Sequence, residues 1–519
     1  MAGASSAAGL EAGARTVLDA LSHWGRHRPG SRALSAGEEE LGYADLLSLV
    51  EGAAERLRGA GVTPGERVAL IGGNSIEWAV AFFAGLRAGA VVVPLNSRLS
   101  PLEIRRQVEV AGPRLVLAGQ GLVPLLERAG VAGRTRVALL ERTWRRRSLW
   151  GLRRASLAER PPPPDAPALI SFTSGTTGLP RGAVIQHGAL LRSASAFVPH
   201  FETSPADSTL VLVPLFHNTG FVDQLCQMML VGGAVDLLPE FGVAAAAEAL
   251  ARRPATYLIA VPSIFRLLML GDAAELAFRS CRVAAYGGSS MPTGWIEELA
   301  ARWPGLRLFN CYGLTEFTSV SHLLAPEHAL SRSDSVGRPV EGVRQLVAGE
   351  RGRPLPPGEL GEVWLAGPMR MLGYWQDEAS TRAALHGEWL RTGDLGRIDE
   401  EGFLSVAGRS ADVINRGGEK IHAVQVEAAL SRLASVADAA VVGAPHPVLQ
   451  ERVVACVVVR AGHELDEEEA RRHLLERVPD YAVPETFVHV DELPRNAAGK
   501  LDRRRIRAEV AALTPADTR

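Results

Sequence analysis

Short apolar runs alternate with helical patches through most of this chain, and that alternation constrains the fold more than any other feature. Tyr43 to Ala60 carries apolar residues at helical spacing and stops at Gly59-Ala-Gly61. Arg67-Val-Ala-Leu-Ile71 then reads as a buried strand, Glu77 to Ala88 as a helix and Ala90-Val-Val-Val-Pro94 as a strand. The same grammar returns in Leu210–Val213, Ala234–Leu238, Tyr257–Ala260 and Arg282–Ala285. Strands apolar on both faces must be covered on both, so the pattern predicts an α/β protein with parallel sheets flanked by helices. At 519 residues the chain is too long for one hydrophobic core, and two or more domains are expected.

Lys+Arg 56 against Asp+Glu 58 leaves a net charge of -2, so no global field recommends nucleic acid or membrane as a partner. The most apolar stretch, Phe82 to Leu95, is too short to span a bilayer and contains Arg87. The first residues show neither a basic region nor a continuous apolar one, and Cys226, Cys281, Cys311 and Cys456 are scattered without metal-like spacing. A cytoplasmic protein with reduced thiols is the expectation. Arg142 to Arg154 packs six arginines around two tryptophans and reads as a solvated connector, with Pro161 to Pro164 as a stiff spacer after it.

Ser171-Phe-Thr-Ser-Gly-Thr-Thr-Gly-Leu-Pro-Arg-Gly182 follows the apolar Ala168-Leu169-Ile170. Glycines let the backbone approach an anion, inward N–H groups and hydroxyls supply donors, and Arg181 adds charge: this is the make-up of a polyphosphate loop. It lacks the Gly-Lys-Ser/Thr ending of a Walker A loop. Asn310-Cys-Tyr-Gly-Leu-Thr-Glu316 offers a ring for a flat base, then a hydroxyl and a carboxylate suited to phosphate and Mg²⁺. In Leu390-Arg-Thr-Gly-Asp-Leu395, Asp394 has the acceptor pair that vicinal hydroxyls need. Gly408 to Lys420 forms a further Gly- and Arg-bearing motif, and Leu493-Pro-Arg-Asn-Ala-Ala-Gly-Lys500 presents a lysine on a loop.

Taken together and in this order, the motifs resemble the adenylate-forming (AMP-binding) superfamily, of the acyl- and aryl-CoA synthetase type, over about Tyr43 to Arg503. The resemblance implies a large N-terminal domain of mixed and parallel sheets (residues 15–409, with 1–14 disordered). A hinge at 410–411 and a small mobile α+β C-terminal domain (412–519) would follow. It implies a two-step reaction in which a carboxylic acid and ATP give an acyl-adenylate, and the thiol of CoA then displaces AMP. It assigns Thr173, Ser174, Gly175, Thr176, Thr177, Gly178 and Arg181 to the phosphates, and Tyr312, Gly288 and Ser289 to adenine. Asp394 and Arg409 would meet the ribose, Thr315 the α-phosphate or carboxylate, Glu316 the Mg²⁺, and Lys500 the charge developing between carboxylate and phosphate. His217, Asn218, Val261, Gly287 and Gly288 fall at the acyl pocket. His217, Arg416, Gly417, Gly418 and Lys420 fall at the CoA channel.

Between Phe216 and Val222 there is no aspartate to pair with an ammonium, and Asp223 lies beyond the usual position. An apolar acid without an α-amine is therefore expected. Two residues depart from the family's pattern: Arg181 stands where lysine is usual, and Ala411 where the hinge carries aspartate or lysine. Ala423 and Gln425 are milder departures. They keep open a member that mainly thioesterifies a preformed acyl-adenylate. A loader of an acyl-carrier protein and a nucleotide-binding pseudoenzyme are further alternatives, and a homodimer is an alternative to a monomer.

Overall fold

The computed structural model describes residues 13–140, 161–174, 180–271, 273–288, 291–349, 352–409, 413–494 and 502–513. Outside these lie residues 1–12, the Arg- and Trp-rich stretch, residues 175–179, Ser289, Ala411 and Lys500.

Among the described residues the large unit holds two mixed sheets and a third, antiparallel one of Arg344–Ala348, Gly361–Ala366, Leu385–His386, Trp389–Ile398 and Leu404–Arg409, which carries Asp394. The first runs in the order Gly373–Tyr374, Pro180–Gln186, Pro167–Ser174, Val91–Leu95, Arg67–Ile71, Leu115–Gly119, Arg136–Leu140. Its members from Pro167–Ser174 to Arg136–Leu140 are parallel. The second has a parallel centre of Arg307–Gly313, Val283–Gly287, Tyr257–Ala260, Ser208–Val211, Ala234–Leu237 and Arg32–Ala36. Antiparallel strands close both of its edges. The expected strands are present within a residue or two. The phosphate motif is the exception, because it does not leave the sheet at once. Pro167–Ser174 continues as strand through the motif's first residues and pairs back in register, Thr173 opposite Arg181 and Ser174 opposite Pro180.

The helix Ile76–Arg87 shows why the two sheets stay together. Ser75 caps it, its Oγ accepting from Trp78 N at 3.1 Å. Apolar residues then occupy every face, as suits a helix enclosed on all sides. Trp78 and Phe82 are fully buried and their rings lie 6.5 and 5.3 Å from Phe221, which belongs to the second sheet's layer. Burying such rings stabilises by about 2 kcal/mol each. No helix among the described residues is long and apolar enough to cross a membrane.

Residues 413–510 form separate cores around Val453–Val457 and Ile506. Here Gln450–Val459 pairs with Val436–His446, Val413–Arg416 and Thr486–His489, with Ala423–Leu430, Glu467–Leu475 and Arg503–Leu513 as helices. Arg503 binds Glu427 in a two-pronged pair at 2.6 and 2.7 Å, both side chains mostly buried, and so pins the last helix.

Asn74, directly after Arg67–Ile71, ties the first sheet to the second. Its Nδ2 donates to the carbonyls of Val213 and Leu238, and its Oδ1 accepts from Leu215 N. Asn74→Ala removes all three bonds in a buried place and is expected to cost about 3 kcal/mol. A drop in the urea midpoint followed by tryptophan fluorescence checks this; an unchanged midpoint would show that the tie is dispensable.

Candidate active site

In parallel sheets the carboxyl ends of the strands share one edge, and the loops there meet in a crevice. Both large sheets point that edge at one cavity of about 930 Å³. The first supplies Gly73 and Asn74 after Arg67–Ile71, and Asn96 to Leu99 after Val91–Leu95. The second supplies Val213 to His217, Pro239 to Phe241, Val261, Gly287 with Gly288, and Tyr312 to Glu316.

One wall gathers the residues expected to meet nucleotide. Glu316 Oε1 accepts from Thr173 Oγ1 at 3.3 Å and from the Tyr374 hydroxyl at 2.9 Å. The Arg181 guanidinium lies over the Tyr374 ring at 4.9 Å, and its Nε is buried without a hydrogen-bond partner among the described residues. Tyr312 donates its hydroxyl to Asp394 Oδ2 at 2.6 Å. Asp394 is buried and is not itself on the cavity wall. Arg409 sits opposite it in strand register. Gly288 has φ +79°, a left-handed conformation that glycine takes without strain. At Gly287 a Cβ would stand 2.6 Å from the Cys311 carbonyl, so only a bare backbone fits.

A second wall carries His217 and Asn218. His217 stands at the start of the short turn Asn218–Gly220, and its ring packs on Phe216. Asn218 Nδ2 donates to the carbonyl of Thr318, a buried residue held at φ +66°. The segment Phe221–Cys226 then winds as a π-helical turn, a form frequent at functional sites. That wider turn brings Asp223, set aside on sequence spacing, into the wall of the same cavity. Burial pushes its carboxyl up to about 7 against the lowering hydrogen bond from Ser319.

The third wall comes from the C-terminal unit. Its turn Gly417-Gly418 rests on Val261-Pro262-Ser263, with Ser263 Oγ donating to the Gly417 carbonyl at 3.1 Å. Gly418, at φ +94°, has Val261 Cγ1 at 2.3 Å from where a Cβ would stand. Asn415 Nδ2 reaches the Gly288 carbonyl at 3.4 Å, while Lys420 lies on the cavity wall and Arg416 Nε binds Glu485 at 2.8 Å. Arg98 pairs across the junction with Glu419 at 3.1 Å and Asp480 at 3.3 Å and covers the Tyr481 ring. His217 Nε2 stands 3.7 Å from Glu419 Oε1, beyond hydrogen-bond reach. Burial opposes ionisation of Glu419, but His217, Arg98 and Arg416 outweigh it and hold the carboxyl below the usual range.

Thus Thr173, Arg181, Thr315, Glu316, Tyr312, Gly287, Gly288, His217, Asn218, Val261, Arg416, Gly417, Gly418 and Lys420 line one cavity. Asn74, Arg98 and Asp223 line it too, and Tyr374 braces Glu316 from behind the wall; no motif marked these four. The described residues hold no cluster of three or more metal-ligating side chains.

Comparison with known proteins agrees with this geometry. The family profile "AMP-binding enzyme" matches residues 21–375, and "AMP-binding enzyme C-terminal domain" matches 425–500. The chain is 34% identical over 505 residues to an indoleacetate–CoA ligase of Aromatoleum aromaticum, covering 95% of this chain and 99% of that one. Among solved structures, a double mutant of o-succinylbenzoate CoA synthetase from Bacillus subtilis, bound with its product analogue, superposes with a TM-score of 0.84 at 28% identity. It covers 94% of this chain and 97% of that chain. The same enzyme in complex with its acyl-adenylate intermediate, at equal identity and coverage, gives 0.70.

Gly418→Val places methyls where Val261 stands and is expected to lift the C-terminal unit off the cavity. Small-angle scattering would then report a larger radius of gyration than for the wild type. Because the pKa of Glu419 is depressed, its contribution to docking is present at neutral pH. It is lost only as pH falls below the ordinary glutamate range. The wild-type radius should therefore hold between pH 8 and 6, and a rise within that window would refute the role given to Glu419.

Proposed function

Because this chain belongs to the AMP-binding enzyme family, we propose that it is an acyl-CoA synthetase that joins a carboxylic acid to CoA through an acyl-adenylate. The observation that carries the reading is the meeting of three walls at one cavity: Thr173, Glu316 and Tyr312 on one, His217 on another, the Gly417-Gly418 turn on the third. A nucleotide, an acid and a thiol each then have a wall of suitable chemistry.

In the first step a carboxylate oxygen attacks the α-phosphorus of ATP and the bond to pyrophosphate breaks. Tyr312 would lie against adenine, with Gly287 and Gly288 leaving room for the base. Asp394 would exchange the Tyr312 hydroxyl for the ribose hydroxyls. Thr173 and the loop after it would hold the outer phosphates, with Arg181 Nε as a further donor. Thr315 and Lys500 would stabilise charge at the reacting centre, where removing one such group typically costs ~10²–10³ in rate.

A lone carboxylate suits Mg²⁺, which takes one or two protein carboxylates and completes its shell with phosphate and water. Glu316 would hold it, oriented by Thr173 and Tyr374. When bound, the ion neutralises phosphate charge.

In the second step the CoA sulfur attacks the acyl carbon, the bond to AMP breaks and the thiol proton is lost. The channel would run between His217 and the Arg416 to Lys420 hairpin. The higher similarity to the product-analogue complex than to the adenylate complex supports a domain arrangement suited to this step. His217 would gate the passage, and a carrier-protein thiol is the alternative acceptor. A cytoplasmic location accords with four free thiols.

A panel of carboxylic acids, with ATP, Mg²⁺ and CoA, tests this by reading pyrophosphate and thioester separately. Robust pyrophosphate release without CoA would exclude the thioesterification-only alternative; thioester formation would exclude a pseudoenzyme. Lys500→Ala is expected to lower pyrophosphate release ~10²–10³-fold. It should leave thioester formation from preformed acyl-adenylate within a few-fold, and an equal loss in both steps would contradict the assignment.

A further inference from the structure

Asp223 is a carboxyl that the proposed reaction does not use. It is buried, it lines the cavity beside Ile259, Cys311 and Ser319, and its two oxygens differ. Oδ2 accepts from Ser319 Oγ at 2.8 Å; Oδ1 has no hydrogen-bond partner among the described residues. The residue is held in place, since its backbone carbonyl accepts from the Tyr257 hydroxyl at 3.1 Å. Tyr257 begins the strand Tyr257–Ala260, whose other end opens into the cleft at Val261, so Asp223 stands below the cleft mouth, on the acyl side.

A buried carboxyl oxygen calls for a donor, and Cys226 and Cys311 beside it do not bring a charge, because burial pushes both thiols up. Resting on the acyl-CoA synthetase reading, we propose that Asp223 determines specificity. It selects carboxylic acids that carry an O–H or N–H donor at the end remote from the carboxyl group. The donor completes the Oδ1 shell when the acid binds. An acid ending in hydrocarbon covers the same oxygen and leaves it unpaired, and sites built to bond a substrate hydroxyl reject the analogue that lacks it. The expected pocket is therefore apolar along its length with one polar contact at depth.

Matched acids test this in the wild-type enzyme above pH 8, where the Asp223 carboxyl is ionised and its free oxygen accepts. The pairs are 3-(4-hydroxyphenyl)propanoate with 3-phenylpropanoate, 10-hydroxydecanoate with decanoate, and indole-3-acetate with benzothiophene-3-acetate. The donor-bearing member of the best-used pair should show kcat/KM about 10- to 10²-fold higher. In Asp223→Asn and Asp223→Leu that ratio should fall to about 1 or below, with thermal unfolding confirming that each variant is folded. Equal or better use of the hydrocarbon members by the wild type overturns the proposal, even if a variant fails to fold. So does a ratio that survives in a folded variant. Those results leave the synthetase reading intact, because thioester has formed. Absence of both pyrophosphate and thioester from every acid overturns the synthetase reading, and this inference with it.

Discussion

Everything at the site depends on two parallel sheets presenting their carboxyl ends to the same crevice. A parallel strand has to return by a crossover, so successive loops emerge on one edge and accumulate there. A single sheet would supply either the phosphate loop or the Tyr312 to Glu316 segment. Only with both sheets docked does Glu316 lie within 3.3 Å of Thr173. The docking rests on the buried helix Ile76–Arg87 and on Asn74, whose three bonds fix the loop leading to His217. Core packing and site geometry are therefore one problem here, and a disturbance between the sheets reaches the cavity without touching it.

The junction with the C-terminal unit is of another kind. It combines a glycine turn that admits no side chain at Gly418 with ion pairs from Arg98 that are part-exposed. Exposed pairs contribute about 0–1 kcal/mol each. The two units meanwhile keep separate hydrophobic cores. Steric fit sets the docked geometry, and the polar contacts from Arg98 add little energy to it. That combination suits a unit whose Lys500 is proposed to serve the first half-reaction.

The fold was legible because burial on both faces leaves a continuous apolar run. Arg67–Ile71 and Tyr257–Ala260 lie where the pattern put them. The site motifs were legible where chemistry is packed into consecutive residues, as in Tyr312 to Glu316. Asn74, Arg98 and Tyr374 were not, since each acts on partners more than 50 residues away and none sits in a run of unusual composition. Asp223 was passed over for a different reason. Counting along an ordinary helix carries it past the pocket, whereas a π turn changes which residues face inward.

Arg181 illustrates how a departure from a family pattern is absorbed by its surroundings. A lysine at this place would offer a compact ammonium, able to meet phosphate from any direction. The planar guanidinium instead stacks on Tyr374, the residue whose hydroxyl also orients Glu316. The ring lies 4.9 Å from the guanidinium carbon and restricts where the cation can sit. Under the proposed reading, a cation held in this way would need less ordering when phosphate binds. The same coupling means that Tyr374 influences both the cation and the carboxylate of the nucleotide wall. The departure at Arg181 is thus a feature of a three-residue unit, and its consequence for adenylation has to be judged with Tyr374 and Glu316 in place.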